Sequence, residues 1–239
     1  RRHPVSAAKA PAAAFTPAER RLIRRLDTPG RVQAYLNALP YNTEPEGKTL
    51  RSFRAVARLR TAHCLEAALA AAVILEQHGY PPLVLSFESI DKLEHVIFVY
   101  RRRGRWGSVA RSRDPGLHGR KAVFPTARAL AMSYFEPYID LTGCITAYAV
   151  ADLRKELGRY DWRLSERNVW KAEQVLIDYP HHPLPVDRTR LARWRAWYRA
   201  FTERHPGKKP VRYPGRGTWT ALPREYAAAG YQVRFPWPE

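Results

Sequence analysis

The sequence predicts an α+β fold in which a buried central helix packs on an antiparallel sheet. The helix is predicted from RTAHCLEAALAAAVILEQHG, residues 60–79, because the interior of this stretch is almost continuously apolar. The sheet is predicted from the short β-rich runs that follow, the last two of which are separated by a turn-forming segment. With 239 residues, 45% of them hydrophobic, the chain is long enough to bury such a core.

The segment before the central helix predicts a flexible arm and three short helices. Residues 1–15 are rich in alanine and proline and are expected to form the arm. Order is expected to begin near FTPAERRLIRRL, where Thr16 can cap a helix and Pro17 can take its first position. Apolar spacing predicts the second and third helices in residues 28–40 and 50–59.

The central helix is expected to start just before a cysteine. Thr61 is a suitable N-cap, which places Cys64 in the first turn, and Gly79 lies where a glycine commonly ends a helix. The helix therefore presents a thiol at its N-terminal end.

The runs after this helix predict the sheet. PPLVLSFES and EHVIFVY have the composition of strands, and RRRGR is a turn before WGSVAR, so the last two runs are expected to pair as a hairpin. A helix near TARALAMSYFEPYI and a strand-like run, ITAYAV, complete a domain predicted to span residues 16–152.

Residues 153–239 are predicted to form a helical, basic and proline-rich C-terminal extension. One helix is expected to be capped at Ser165, in SERNVWKAEQVLIDY. A second helix has four apolar residues at helical spacing: Leu191, Trp194, Tyr198 and Phe201.

The charge of the chain suggests anionic partners but does not choose among them. A formal net charge of +19 and a pI near 10.4 attract phosphates, anionic lipids or acidic polymers. An arginine excess of this kind is equally typical of a GC-rich genome.

Two cysteines form no disulfide framework, which favours a reduced, cytoplasmic compartment. No stretch is apolar enough for a signal sequence or a membrane span, although removal of a leader stays open because the first residue is Arg1. We expect no cofactor and no metal, since His181 and His182 have no further ligand at suitable spacing and are interpreted as loop residues.

Cys64 and His95 are the candidate catalytic pair. The N-terminus of a helix stabilises a thiolate, which is the nucleophilic form of cysteine, although buried cysteines also serve as packing. His95 begins a predicted strand in which His95, Ile97 and Val99 share a face, so its ring is expected to be held rigidly. His63 is disfavoured as the base because adjacent helical side chains point about 100° apart.

The order of these features resembles the transglutaminase-like branch of the papain-like cysteine enzymes. The segments that carry the resemblance lie between Thr16 and Asp152 and are LPYN, AHCLEAALAAAVILEQHG, EHVIFVYRRRGRWG and MSYFEPY. It implies a transglutaminase-like, papain-like core and acyl transfer from, or hydrolysis of, a protein or peptide-like amide. Cys64 would attack the carbonyl and His95 would carry the proton.

The resemblance also implies an aspartate about four residues after a tryptophan on the next strand, but here Trp106 leads to Ala110. The predicted hairpin register makes Ser112, and then Ser108, the candidates for orienting His95, whereas Asp114 is interpreted as a turn residue. Gln33 and Asn42 are candidate amide donors to an oxyanion.

Two other classes of function remain open. Arginine-rich segments interleaved with aromatic residues, above all RTRLARWRAWYRAFTERHPGKKPVRYPGRGTW, are typical of a nucleic-acid-binding surface. The second class is a transglutaminase-like scaffold that has lost catalysis.

Overall fold

The computed structural model of the protein describes residues 9–92, 94–208, 210 and 215–228. Within them the chain is α+β, as predicted, with one antiparallel sheet of six strands in the order β4-β3-β2-β1-β5-β6. The strands are β1 Leu83–Ser89, β2 His95–Arg102, β3 Arg105–Val109, β4 Arg120–Phe124, β5 Ile145–Asp152 and β6 His182–Pro183.

Ten α-helices cover the two faces of the sheet in the part of the chain just defined. They are α1 Pro17–Arg25, α2 Pro29–Asn37, α3 Phe53–Leu59, α4 Cys64–Glu76, α5 Ala127–Met132, α6 Phe135–Tyr138, α7 Leu153–Leu157, α8 Trp170–Asp178, α9 Arg188–Arg204 and α10 Arg224–Ala228. No helix among these residues is long and apolar enough to cross a membrane.

Side chains along each strand alternate between the two faces of the sheet, and each face packs against its own hydrophobic core. Val84 and Phe98 face a core built around α4, whose residues from Leu65 to Glu76 are all buried, so the predicted central helix packs on the sheet. Leu85 and Ile97 face the opposite core, which is closed by α5, α6 and α9.

The predicted hairpin joins β2 to β3. Arg102 pairs with Arg105, and the two residues between them, Arg103 and Gly104, have φ of 50° and 74°. Positive φ at both central positions is the turn geometry that matches strand twist, so the turn fixes the register of β2.

Several predicted boundaries are corrected. Residues 1–8 of the predicted arm lie outside the described residues, whereas Phe15 is buried and packs edge-on against Phe53 at 6.0 Å. Ser165 does not cap a helix, since its hydroxyl accepts from the Arg167 N–H and α8 starts only at Trp170. Strand β4 and helix α7 were not predicted, because both are short and mix charged with apolar residues.

The predicted C-terminal extension contributes to both cores. Leu153, Trp162 and Leu176 lie in the α4 core, whereas Trp194 and Phe201 lie in the opposite core. The helix that carries the predicted apolar spacing is α9, and its aromatic side chains pack inward.

A contact we call the C-terminal clamp joins α10 to the loop formed by residues 110–119. The Tyr226 hydroxyl donates to the Ser112 carbonyl at 2.9 Å, and the buried Arg111 guanidinium donates to Glu225 at 2.6 Å. The clamp spans 114 residues of sequence, so the loop is held from a distant part of the chain.

Candidate functional site

An open cavity of about 510 Å³ lies where the N-terminus of α4 meets the start of β2. Cys64 is the first residue of α4 and is partly exposed, and His95 is the first residue of β2 and is buried. Both residues line the cavity, and the His95 ring acts electrostatically on the Cys64 sulfur. The structure therefore brings the two candidate catalytic residues together.

The ring of His95 is held on three sides. Nε2 lies 2.9 Å from the Leu117 carbonyl oxygen, and the ring stacks on Phe87 at a centroid distance of 6.2 Å and contacts Tyr134 at 6.3 Å. Because a carbonyl only accepts hydrogen bonds, Nε2 carries a proton, which leaves Nδ1 for the sulfur. The Leu117 carbonyl thus orients His95 and fixes its tautomer.

Ser112 does not orient His95, so that prediction is wrong. Strand β3 ends at Val109, which places Ser112 in a loop, where its hydroxyl accepts from the Asp114 N–H at 3.0 Å. Ser108 is also engaged elsewhere, at 2.6 Å from the Tyr134 hydroxyl.

The carbonyl that orients His95 belongs to a braced loop. The buried Arg120 guanidinium donates to the carbonyls on either side of Leu117, reaching Gly116 at 2.6 Å and His118 at 2.7 Å. The same guanidinium lies over the Tyr134 ring, 4.0 Å from its centroid. Arg120 therefore acts as a positioning residue for His95.

His63 also contacts the sulfur, contrary to expectation. It is the N-cap of α4, with an extended backbone at φ −88° and ψ −176°, so the angle between helical neighbours does not apply to it. Thr61 does not take this position. The side chain of His63 acts electrostatically on Cys64, and its Nε2 lies 3.0 Å from the Thr49 carbonyl.

Glu66 is a functional residue that the sequence analysis missed. Its buried carboxylate accepts hydrogen bonds from the His63 N–H, the Arg51 N–H, the Thr49 hydroxyl and the Asn42 amide, at 2.7–3.0 Å. The same carboxylate lies 3.6 Å from His63 Nε2. An acidic residue in the first turn of α4 was the available signal.

Gln33 and Asn42 are not oxyanion donors. Asn42 Nδ2 donates both to Thr49 and to Glu66, which uses both of its hydrogens. Gln33 pairs with the N–H and the carbonyl of Ala110 at 2.9 and 2.8 Å, away from the cavity lining. Both amides hold the backbone around the site.

Tyr41 lies where an oxyanion donor is needed. Its phenol group lines the cavity beside the N-terminus of α4 and interacts with Cys64. Burial, followed by the negative charge of Cys64, raises the pKa of Tyr41, so the phenol keeps its proton. The Tyr41 hydroxyl is therefore a donor beside the sulfur.

The electrostatics of the site stabilise a thiolate. Burial alone would raise the pKa of Cys64, but hydrogen bonds from His63 and His95, together with the charges of both rings, lower it to about 5. For His63, burial would lower the pKa, but the hydrogen bond and charge of Cys64, and then the charge of Glu66, raise it to about 9. These pKa shifts favour a Cys64 thiolate beside a protonated His63 at neutral pH.

The remaining cysteine and the histidine pair lie apart from this cavity. Cys144 is buried in the core opposite α4, and burial raises its pKa to about 11. His181 lies 2.7 Å from the Ser86 hydroxyl, and His182 begins the two-residue strand β6. In the described part of the chain, no group of three or more His, Cys, Asp or Glu side chains is placed to hold a metal.

No protein-family model and no curated protein matches this sequence.

Proposed function

We propose that the protein is a cysteine-dependent enzyme that transfers or hydrolyses the acyl group of a peptide-like amide. The observation that carries the proposal is that Cys64 and His95 line one cavity, with His95 Nε2 held 2.9 Å from a backbone carbonyl and the His95 ring lowering the pKa of Cys64. A nucleophile, a base and a group that orients the base are the three parts that covalent acyl transfer requires.

The reaction has two halves. Before the attack, the thiol proton of Cys64 passes to Nδ1 of His95, whose ring then carries a proton on both nitrogens. The Cys64 thiolate attacks the carbonyl carbon, a C–S bond forms, and the oxygen takes the electron pair of the C=O bond beside the Tyr41 hydroxyl. The oxyanion then collapses, the C–N bond breaks, and the leaving amine takes a proton from Nδ1 of His95. Water or an amine next attacks the thioester carbon while Nδ1 of His95 accepts its proton. The C–S bond then breaks, which frees the acid or the new amide and returns Cys64 as the thiolate beside protonated His95.

His63 and His95 have different roles in this mechanism. His63 stays protonated at neutral pH and serves as a fixed cation that holds the thiolate. His95, held by a carbonyl instead of a carboxylate, is the proton carrier. The helix with an N-terminal cysteine, the strand with a histidine and the hairpin partner support a transglutaminase-like, papain-like core for the proposed enzyme.

Alkylation by iodoacetamide tests the nucleophile directly. At pH 7 we expect Cys64 to react at least about tenfold faster than Cys144, because the pKa of Cys64 is lowered and that of Cys144 is raised. As pH falls, the rate at Cys64 should decline only near its pKa of about 5. Peptide mass spectrometry of both cysteines provides the measurement, and protection of Cys64 until unfolding would leave it a packing residue.

Replacement of Tyr41 by phenylalanine tests the oxyanion donors. We expect acylation of Cys64 by 4-nitrophenyl acetate to slow by about 10²-fold, since one donor to the oxyanion is removed. Alkylation by iodoacetamide forms no oxyanion and should change little. If Tyr41→Phe slowed acylation and alkylation equally, Tyr41 would act on the thiolate and not on the oxyanion.

The structure does not favour the nucleic-acid alternative for α9. Trp194, Trp197 and Phe201 are buried and are thus unavailable to stack on bases. An inactive scaffold would require an unreactive Cys64, which the iodoacetamide experiment also measures.

A further inference from the structure

The cavity has a charge balance opposite to that of the whole chain. Six carboxylates line it, whereas Lys48, Lys92 and Arg113 are its lysine and arginine residues. The full sequence contains 41 lysines and arginines against 22 acidic residues. Because the cavity reverses this excess, it attracts cations within a protein that otherwise attracts anions.

Two of the carboxylates are fixed by hydrogen bonds at one wall. Asp91 accepts from the Ser89 hydroxyl at 2.6 Å, and Asp140 accepts from the Gly143 N–H at 2.6 Å. Both residues line the same cavity as Cys64. These carboxylates therefore add negative charge to the wall of the candidate site.

One face of α8 adds an apolar surface with a carboxylate within it. Trp170 and Ile177 line the cavity with 41% and 47% of their surface exposed, and Glu173 lies between them at helical spacing. Burial raises the pKa of Glu94, the charge of His181 lowers it, and repulsion by Glu173 raises it again. Among the described residues, neither glutamate makes an ion pair with a lysine or arginine. A cation placed between them would relieve that repulsion.

A long cationic side chain matches this surface. Lysine and arginine have an aliphatic stem that packs on apolar and aromatic groups and a charged head that pairs with carboxylates. A small inorganic cation would leave Trp170 and Ile177 without a contact, and an anionic side chain would meet the two glutamates.

We propose that the α8 face, formed by Trp170, Glu173 and Ile177 together with Glu94, binds a lysine or arginine side chain of the substrate next to the amide that Cys64 attacks. This inference rests on the proposed function, and it specifies the substrate class as cationic peptides.

The test uses three dipeptide chloromethyl ketones, Ala-Lys, Ala-norleucine and Ala-Glu, with the full chain. The Cys64 thiolate displaces chloride, so that a C–S bond forms and the C–Cl bond breaks. Norleucine keeps the aliphatic stem of lysine without its charge. We expect the lysine reagent to modify Cys64 about tenfold faster than the norleucine reagent, and the glutamate reagent to be the slowest of the three.

Substitutions in the cavity lining test which residues cause the preference for the lysine reagent. Glu173→Gln and Glu94→Gln should each reduce the ratio of the lysine rate to the norleucine rate, whereas Trp170→Ala should slow both reagents. The matched control is Glu203→Gln, which removes an exposed helical carboxylate outside the cavity lining and should leave the ratio unchanged. A lysine preference that survives both glutamate substitutions would overturn the assignment to the α8 face.

Iodoacetamide separates the two possible failures. If wild-type Cys64 reacts rapidly with iodoacetamide but equally with the lysine and norleucine reagents, the substrate inference is wrong and the proposed function stands. If Cys64 reacts with iodoacetamide no faster than Cys144, the proposed function itself fails.

Discussion

Replacement of His95 by alanine is expected to lower turnover of 4-nitrophenyl acetate by about 10²–10⁴-fold, because the acyl-enzyme then lacks the base that activates water. The neighbouring His63 cannot take over this role, since its pKa is raised to about 9 and it stays protonated. The measurement is the steady release of 4-nitrophenol after the first acylation of Cys64, with the acyl-enzyme followed by mass spectrometry.

His63→Ala is the informative comparison. Removal of this cation is expected to raise the pKa of Cys64, so activity should fall near neutral pH and recover as pH rises towards about 9, where an ordinary thiol ionises. His95→Ala should not recover in this way, because the missing group is a proton carrier. Identical pH profiles for the two variants would contradict the separate roles proposed for the histidines.

Replacement of Arg120 by methionine is expected to destabilise the protein by about 3 kcal/mol or more. The substitution leaves the buried Gly116 carbonyl without the donor it has at 2.6 Å and removes a cation packed on Tyr134. Burial lowers the pKa of Arg120 to about 10, so the guanidinium is still charged at neutral pH and makes charge-assisted hydrogen bonds.

Urea unfolding of Arg120→Met gives the change in stability. The matched control is Lys121→Met, the next residue, whose exposed ammonium donates to the Gly217 carbonyl at 2.8 Å and should contribute little. Below the unfolding transition, Arg120→Met should also slow the His95-dependent step, since the loop that holds Leu117 loses its brace. Wild-type stability in Arg120→Met would show that packing alone holds this loop.

Cys64 and His95 were predictable because both begin regular elements. Apolar spacing and the start of a helix predict Cys64 at the N-terminus of α4. Strand alternation and a turn of fixed geometry predict His95 at the start of β2. The group that orients His95 was not predictable in the same way. It is a backbone carbonyl in the loop at residues 110–119, and neither a residue type nor a periodicity marks a carbonyl.

The other missed features have related causes. His63 was rejected by a rule for helical neighbours, but an N-cap residue has an extended backbone and can turn its ring towards the next side chain. Glu66 was overlooked because a buried carboxylate in a largely apolar helix depends on donors that are distant in sequence, such as Asn42. The α8 face was missed because its helix starts five residues later than the predicted cap at Ser165.

The C-terminal clamp has a consequence for when the candidate site is completed during synthesis. A ribosome makes residues 64, 95 and 117 well before it reaches Glu225 and Tyr226, so the loop that orients His95 gains its last support late in translation. Until then, the buried Arg111 lacks its partner carboxylate, and the loop is held by the Arg120 brace without the clamp. We therefore expect the proposed acyl-transfer activity to reach its full level only after α10 has been made and has docked on the loop.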